Sequence, residues 1–218
     1  MSLQPQQLLE SLRPWLKAPC WWLGLSGGLD STVLLHLLSL LSSQRAIPPL
    51  RVIHVNHQLS EFSADWMQHC EDLCVQHDIE FVSRQVQVEQ RGDGPEAAAR
   101  EARYNIFEEL VGAGELLLLA HHADDQVETF FLRLLRGAGT HGLSAMPQHR
   151  PLGGGQLLRP LLHVGRAELE SYAFEQQLRW VEDDSNSDLA LDRNYLRREV
   201  LPLLEQRWPA YRNSVMQS

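Results

Sequence analysis

Between residues 20 and 135 four short apolar runs alternate with four amphipathic segments, and nothing else in the chain limits its fold so sharply. The runs are CWWLGLS, RVIHVNH, FVSRQVQV and LLLLA. Strands rich in successive apolar residues are buried on both faces, and the intervening helices supply the cover. The spacing therefore predicts an α/β fold: a doubly wound parallel sheet with helices on both sides. The expected helices run from Asp30 or Ser31 to Leu41, from Ser63 to His77, from Pro95 through AAAREARYNIFEEL, and from about Asp124 to Leu135. Pro95 suits a first helical turn, where its missing N–H costs nothing. Ahead of them, residues 1–19 read as an amphipathic lead-in helix interrupted by Pro14, with Leu8, Leu12, Trp15 and Leu16 at helical spacings.

From Gly137 the texture changes to a loop-rich connector reaching Gly155. A strand at Leu157 to Leu162, a helix from Arg166 to Gln177 and a helical segment DRNYLRREVLPLLEQRW are expected to follow. We divide the chain into a sheet domain at 1–150 and a short α-rich extension at 151–218. With 218 residues, 44% hydrophobic and 22% charged, the chain is long and apolar enough for one sizeable core. A net charge of -9 argues against generic affinity for nucleic acid, although 11 of the 18 arginines lie at or after Arg133. Lys17 is the only lysine, so a GK[ST] phosphate loop is excluded. Cys20, Cys70 and Cys74 cannot all pair, and Cys70 and Cys74 share a helix face. The longest leucine-rich stretch, Leu34 to Leu41, is too short to span a bilayer. These features point to the cytoplasm and away from a membrane.

The strongest local signal is LGLSGGLDST, Leu23 to Thr32, between an expected strand and an expected helix. Two glycines let the backbone turn sharply, and the helix start aims unpaired N–H groups at an anion. Ser26 and Ser31 can add hydroxyls, and Asp30 can hold magnesium through oxygen. Gly24, Ser26 and Gly28 also fit a GxSxG nucleophile elbow, and a plain glycine turn with a polar cap is the unremarkable alternative.

His121, His122, Asp124 and Asp125 crowd the end of the fourth strand, where an open sheet binds ligands. Asp125 and Glu128 share one side of the next helix and suit an ammonium or a metal. Arg193 and Arg197, one turn apart, can grip a phosphate or carboxylate. Arg100 and Arg103 share a face of their helix, and Glu96 with Arg100 is an i,i+4 pair. His54 and Asn56 alternate with His57 at the end of the second strand, a poor chelate geometry.

SGGLDS is similar to the SGGxDS signature of PP-loop ATP pyrophosphatases. HVNHQLS, EAAAREARY, HHADDQVETFFLRLLRGAGTHGL, LLRPLL and WVEDDSNSDLALDRNYLRRE then follow in order. Together these strings resemble the tRNA(Ile)-lysidine synthetase family from about residue 23 to residue 208. The resemblance implies a ligase that uses ATP and Mg²⁺ to adenylate C2 of the wobble cytidine in a CAU-anticodon tRNA(Ile), after which free L-lysine displaces AMP. It implies that Ser26, Gly27, Gly28, Leu29, Asp30 and Ser31 bind ATP, with Asp30 also on the magnesium. It places the substrate lysine against Asp125, Glu128, Arg193 and Arg197, with Asp30, Asp125 and Arg193 as the catalytic set, and leaves room for a homodimer. Members usually carry further C-terminal tRNA-binding domains, which are absent from this sequence.

The thiolating relatives need a reactive cysteine, and none is expected beside the site. Two rivals are a dinuclear metal hydrolase using His54, His57, His121, His122, Asp124 and Asp125, and a nucleotide-binding module without catalysis. A third is a related ligase with another amine acceptor.

Overall fold

The computed structural model describes residues 3–58, 60, 62–86, 95–139, 142–182 and 188–217. Its sheet has six strands in the order β3-β2-β1-β4-β6-β5. They are β1 (Trp21–Gly24), β2 (Leu50–Asn56), β3 (Glu80–Gln85), β4 (Leu116–Leu118), β5 (His149–Leu152) and β6 (Gly155–Leu158). The pairings β1–β2, β2–β3, β1–β4 and β4–β6 are parallel; β5 alone is antiparallel, on β6. In register, Trp21 stands between Leu50 and Leu116.

Period-two alternation sorts the strand side chains into two cores. Trp21, Leu23, Val52, Leu116 and Leu118 face one side, with α2 (Leu29–Ser43), Cys70 and Cys74 of α3 (Ser63–Gln76), and Leu169 and Tyr172 of α6 (Arg166–Glu175). Trp22, Ile53, Leu117 and Leu119 face the other, against Phe107 and Val111, where α4 (Pro95–Leu110) ends. Helix α2 is buried almost all round, from Leu29 to Leu41, as its unbroken leucines require. The lead-in helix is split: α1 (Pro5–Leu12) gives way to a 3₁₀ turn at Arg13–Trp15, because Pro14 cannot continue the α ladder.

Two expectations are corrected. The connector after Gly137 contains β5, which forms a tight hairpin with β6 across Gly153-Gly154. Its strand HRPL has no apolar run, since an edge strand is partly exposed. The strand expected at Leu157 to Leu162 is shifted toward Gly155 and stops at Leu158, just before Arg159-Pro160, because proline cannot donate to the ladder. The expected C-terminal helix is present over residues 192–207, running as α7 (Asp192–Tyr195), a π turn at Leu196–Val200 and α8 (Leu201–Arg207). Pro202 offers no N–H and its ring crowds the carbonyl of Arg198, so the Leu201 N–H reaches back to Leu196 instead. Helix α9 (Tyr211–Met216) follows, and Tyr211 and Leu201 bury Val127 of α5 (Ala123–Leu135). The sheet continues across the expected division at residue 150, which falls inside β5.

From β1 the chain moves outward to β2 and β3, then returns to place β4 on the other flank of β1. The connections leaving the carboxyl ends of β1 and β4 therefore part there, and a crevice opens between them.

Candidate active site

The loop from Gly24 to Ser31 leaves β1 at that crevice. Gly27 has φ +86°, a left-handed conformation favouring glycine, and a Cβ there would sit 3.0 Å from both Cys70 Sγ and Val181 Cγ2. The Val181 N–H donates to Gly27 O at 2.9 Å and pins the turn. Gly28 caps α2, whose first residues Leu29, Asp30 and Ser31 present free N–H groups toward the crevice. The Ser31 hydroxyl accepts from the Ser26 N–H at 3.2 Å and lies 3.0 Å from Ser26 Oγ. Ser26 Oγ also accepts from the Gly28 N–H at 3.3 Å. Among the described residues no imidazole bonds Ser26 Oγ as a nucleophile elbow requires, and the turn with its free N–H groups has the form of an anion cradle.

A cleft of about 560 Å³ lies over this loop, lined by Gly24, Ser26, Asp30, His54, His121 and Asp125, among others. Asp30 Oδ2 is 3.3 Å from the Arg166 guanidinium, while Asp30 Oδ1 is buried without a hydrogen-bond partner. An orphaned carboxylate oxygen beside a phosphate cradle fits a divalent cation. Among the described residues no group of three His, Cys, Asp or Glu side chains is arranged to hold a metal ion, which leaves the dinuclear hydrolase without its ligand set.

His122 caps α5 and joins the two halves of the site. Its Nε2 is 3.5 Å from Asp30 Oδ2 and 3.5 Å from Asp125 Oδ2, and Nδ1 is 3.7 Å from Asp124 Oδ2. Burial pushes the imidazole pKa down, but Asp30, Asp125 and Asp124 together carry it above its usual value. Burial alone would push the Asp125 pKa up. His122, His121, the backbone N–H of His122 and Arg193 overcome that, holding Asp125 below its usual value as a carboxylate. His121 is driven down to about 3, chiefly by burial and also by Arg159, Arg103 and Arg100, with Asp125 opposing. His57 falls to about 4 through burial and the charge of Arg103. His54 Nδ1 sits 2.9 Å from Leu25 O and is held low by burial.

Arg193 NH1 reaches 3.9 Å from Asp125 and its Nε 3.7 Å from Glu128, an Nε that is buried without a hydrogen-bond partner. Arg197 forks both oxygens of Glu128, the residue expected to receive an ammonium. Arg103 lines the cleft. The Glu96 side chain, Asp183 and Asp184 lie outside the described residues. Cys70, expected away from the site, lies beside Gly27. Burial raises its thiol to about 12, so it is packing and not a nucleophile.

Sequence reasoning missed Arg166, whose guanidinium touches Asp30 and whose N–H donates to Asp124 at 2.8 Å. A glycine followed by arginine at a helix start was the only available sign.

A glycine-turned loop feeding a helix at the switch point of a parallel sheet, with paired carboxylates across the cleft, defines a phosphate-loop α/β domain. The chain belongs to the PP-loop domain family, which matches residues 2–204. It is 53% identical over 205 residues to the tRNA(Ile)-lysidine synthase of Pseudomonas syringae pv. tomato, covering 94% of this chain and 46% of that protein. The Coxiella burnetii tRNA(Ile)-lysidine synthase is 48% identical over 206 residues, with the same two coverages. The chain thus spans about half the length of the curated relatives it matches. Among solved structures, the U34-tRNA thiolase NcsA of Methanococcus maripaludis aligns with TM-score 0.76 at 19% identity, covering 97% of this chain and 77% of that one. The glutamine-dependent NAD⁺ synthetase of Acinetobacter baumannii aligns at TM-score 0.52 and 17% identity over 78% of this chain and 32% of its own. At these identities the two share the fold. No helix among the described residues is long and apolar enough to cross a membrane.

Proposed function

We propose that this chain performs the chemistry of a tRNA(Ile)-lysidine synthase: ATP-dependent ligation of L-lysine to C2 of the wobble cytidine in CAU-anticodon tRNA(Ile). The carrying observation is His122, which stands 3.5 Å from both the phosphate-loop Asp30 and Asp125 and ties two half-sites into one cleft. The high identity to tRNA(Ile)-lysidine synthases over 94% of the chain supports the substrate.

In the first step the cytidine O2 attacks the α-phosphorus of ATP, and the bond to the bridging oxygen breaks to release pyrophosphate. The N–H groups of Leu29, Asp30 and Ser31 and the Arg166 guanidinium meet that developing charge. Magnesium, when bound, neutralises phosphate charge, and Asp30 Oδ1 is the oxygen free to hold it. In the second step the lysine ε-amine attacks C2, the C2–O bond breaks and AMP departs with the oxygen. Asp125, ionised and nearly buried, receives the lysine ammonium and takes the proton that must leave before attack. Arg193 sits where it can bind the lysine carboxylate. Glu128 joins the ammonium site only if Arg197 releases it.

We place the protein in a reducing cytoplasm, a setting that three free, buried cysteines support. Residues 1–150 carry the ATP loop in this reading, and 151–218 complete the catalytic unit. Labelled ATP incubated with Mg²⁺, lysine and unmodified CAU-anticodon tRNA, omitting each in turn, tests the proposal. AMP formation that needs the tRNA, with lysine joined to it, supports it; AMP formation indifferent to lysine and tRNA sinks it. Light scattering on the same sample decides between monomer and homodimer.

A further inference from the structure

Besides Asp30 and Asp125, the cleft is lined by Arg103 and Phe107 of α4. Tyr104 of the same helix stands edge-on to Phe107 at 6.0 Å. The Arg100 guanidinium stands 5.2 Å and the Arg150 guanidinium 4.9 Å from the Tyr104 ring centre, both within cation–π range. Arg159 NH2 donates to the Tyr104 hydroxyl at 3.3 Å and its NH1 to Pro147 O at 2.8 Å. Arg159 is 2% exposed, and its Nε is buried without a hydrogen-bond partner. Among the described residues, no carboxylate forms an ion pair with Arg150 or Arg159.

Three guanidiniums thus gather round one phenol in a chain of net charge -9. Like charges at this separation repel, and the repulsion is relieved by an arriving anion. The field is also felt in the cleft: Arg159, Arg103 and Arg100 all act on His121 at its floor. Arg100 is exposed and Arg150 half-buried, so both can touch a ligand, whereas Arg159 fixes the charge from beneath.

We propose that Arg100, Arg150 and Arg159 around Tyr104 form the docking site for the RNA backbone phosphates that flank the reacting base. This rests on the function proposed above. A base whose O2 meets ATP inside the cleft must leave its stack, so its flanking phosphates stay outside and cross the rim. The arginine cluster attracts them and offers planar paired donors that match a phosphate. Phosphate contacts fix register on the strand without reading its sequence, which leaves base selection to the cleft.

The test measures affinity of the whole chain for an unmodified CAU-anticodon tRNA transcript across a salt series, with the Michaelis constants for ATP and lysine. Arg150→Glu is expected to weaken tRNA binding about tenfold at low salt and to flatten the salt slope by about one. The ATP and lysine constants stay at wild-type values, and Arg150→Lys recovers most of the binding. Wild-type affinity and slope in Arg150→Glu overturn the proposal, as does an equal loss toward ATP and tRNA. Competition by millimolar inorganic phosphate as severe as the mutation would assign the cluster to a free anion and overturn RNA docking. If Arg150→Glu melts early, Arg100→Glu on the exposed helix surface is read by the same criteria. A wild-type chain that forms no AMP with tRNA, lysine and ATP counts against the function itself; tRNA binding indifferent to Arg150 and Arg100 counts against the docking site alone.

Discussion

Arg197 grips both carboxylate oxygens of Glu128, Nε at 2.6 Å from Oε1 and NH2 at 3.0 Å from Oε2. Glu128 is 1% exposed, so burial pushes its carboxyl up while the guanidinium fork pulls it down. The grip spans a long stretch of chain, from α5 to the π turn that Pro202 imposes, and so ties the C-terminal helices to the site.

Removing one partner of such a pair leaves the other charge buried alone. Arg197→Ala should therefore cost about 3 kcal/mol of stability, while Glu128→Gln with Arg197→Met should cost clearly less. Chemical denaturation of both singles and the double variant checks this. Additive losses would mean that the pair does not hold the C-terminal helices in place.

Asp125 keeps its charge through His122 and Arg193, and among the described residues no side chain forks it as Arg197 forks Glu128. Asp125→Asn retains the shape and the bond from the His122 N–H but removes the charge that, in the proposed reading, meets the lysine ammonium. We expect the Michaelis constant for lysine to rise about tenfold or more, with that for ATP within about twofold. Steady-state AMP formation, varying each substrate, makes the comparison. Equal effects on both would move the lysine pocket elsewhere.

How much of this was legible beforehand follows from which signals are local. Gly27-Gly28 before Asp30, and His122 before Asp125, are neighbours in sequence, so the phosphate loop and the carboxylate cluster could be read directly. Strand β5 could not, because an edge hairpin of HRPL needs no apolar pattern. Nor could Arg197 on Glu128, since 69 positions separate them and an arginine beside an expected ligand site looks free until packing is seen. Arg166 on Asp30, 136 positions apart, and Arg159 under Tyr104 were hidden for the same reason.

Acid should weaken the fold through His57. Its pKa in the folded protein is about 4, against 6.5 as the ordinary value, because burial and Arg103 disfavour the cation. A group with a lowered folded pKa binds its proton more readily in the unfolded chain, so stability is lost as pH falls from about 6.5 to about 4. His121, driven down to about 3, acts in the same sense, and His122, raised above its usual value, acts in the opposite one. His57→Gln should lose clearly less stability than wild type between pH 7 and pH 4.5. Denaturant midpoints at a series of pH values give the two slopes, and parallel slopes would remove His57 as a source of acid sensitivity.

Gly27 is the position where backbone, packing and chemistry coincide. Its φ of +86° makes any side chain costly, and a methyl group would press on Cys70 Sγ and Val181 Cγ2 at 3.0 Å each. Gly27→Ala should destabilise the fold by about 1–2 kcal/mol from the left-handed backbone, with packing adding to it. It should also abolish turnover, because moving the turn moves the N–H groups of Leu29 to Ser31 off the phosphates. The packing share can be separated from the backbone share. Cys70→Ala in the Gly27→Ala background frees the space beside the methyl group but leaves φ unchanged. We expect it to recover part of the stability and little of the AMP formation, measured by denaturation and product analysis on the same samples. Full recovery of activity would mean that the thiol contact, and not the left-handed turn, is what shapes the loop.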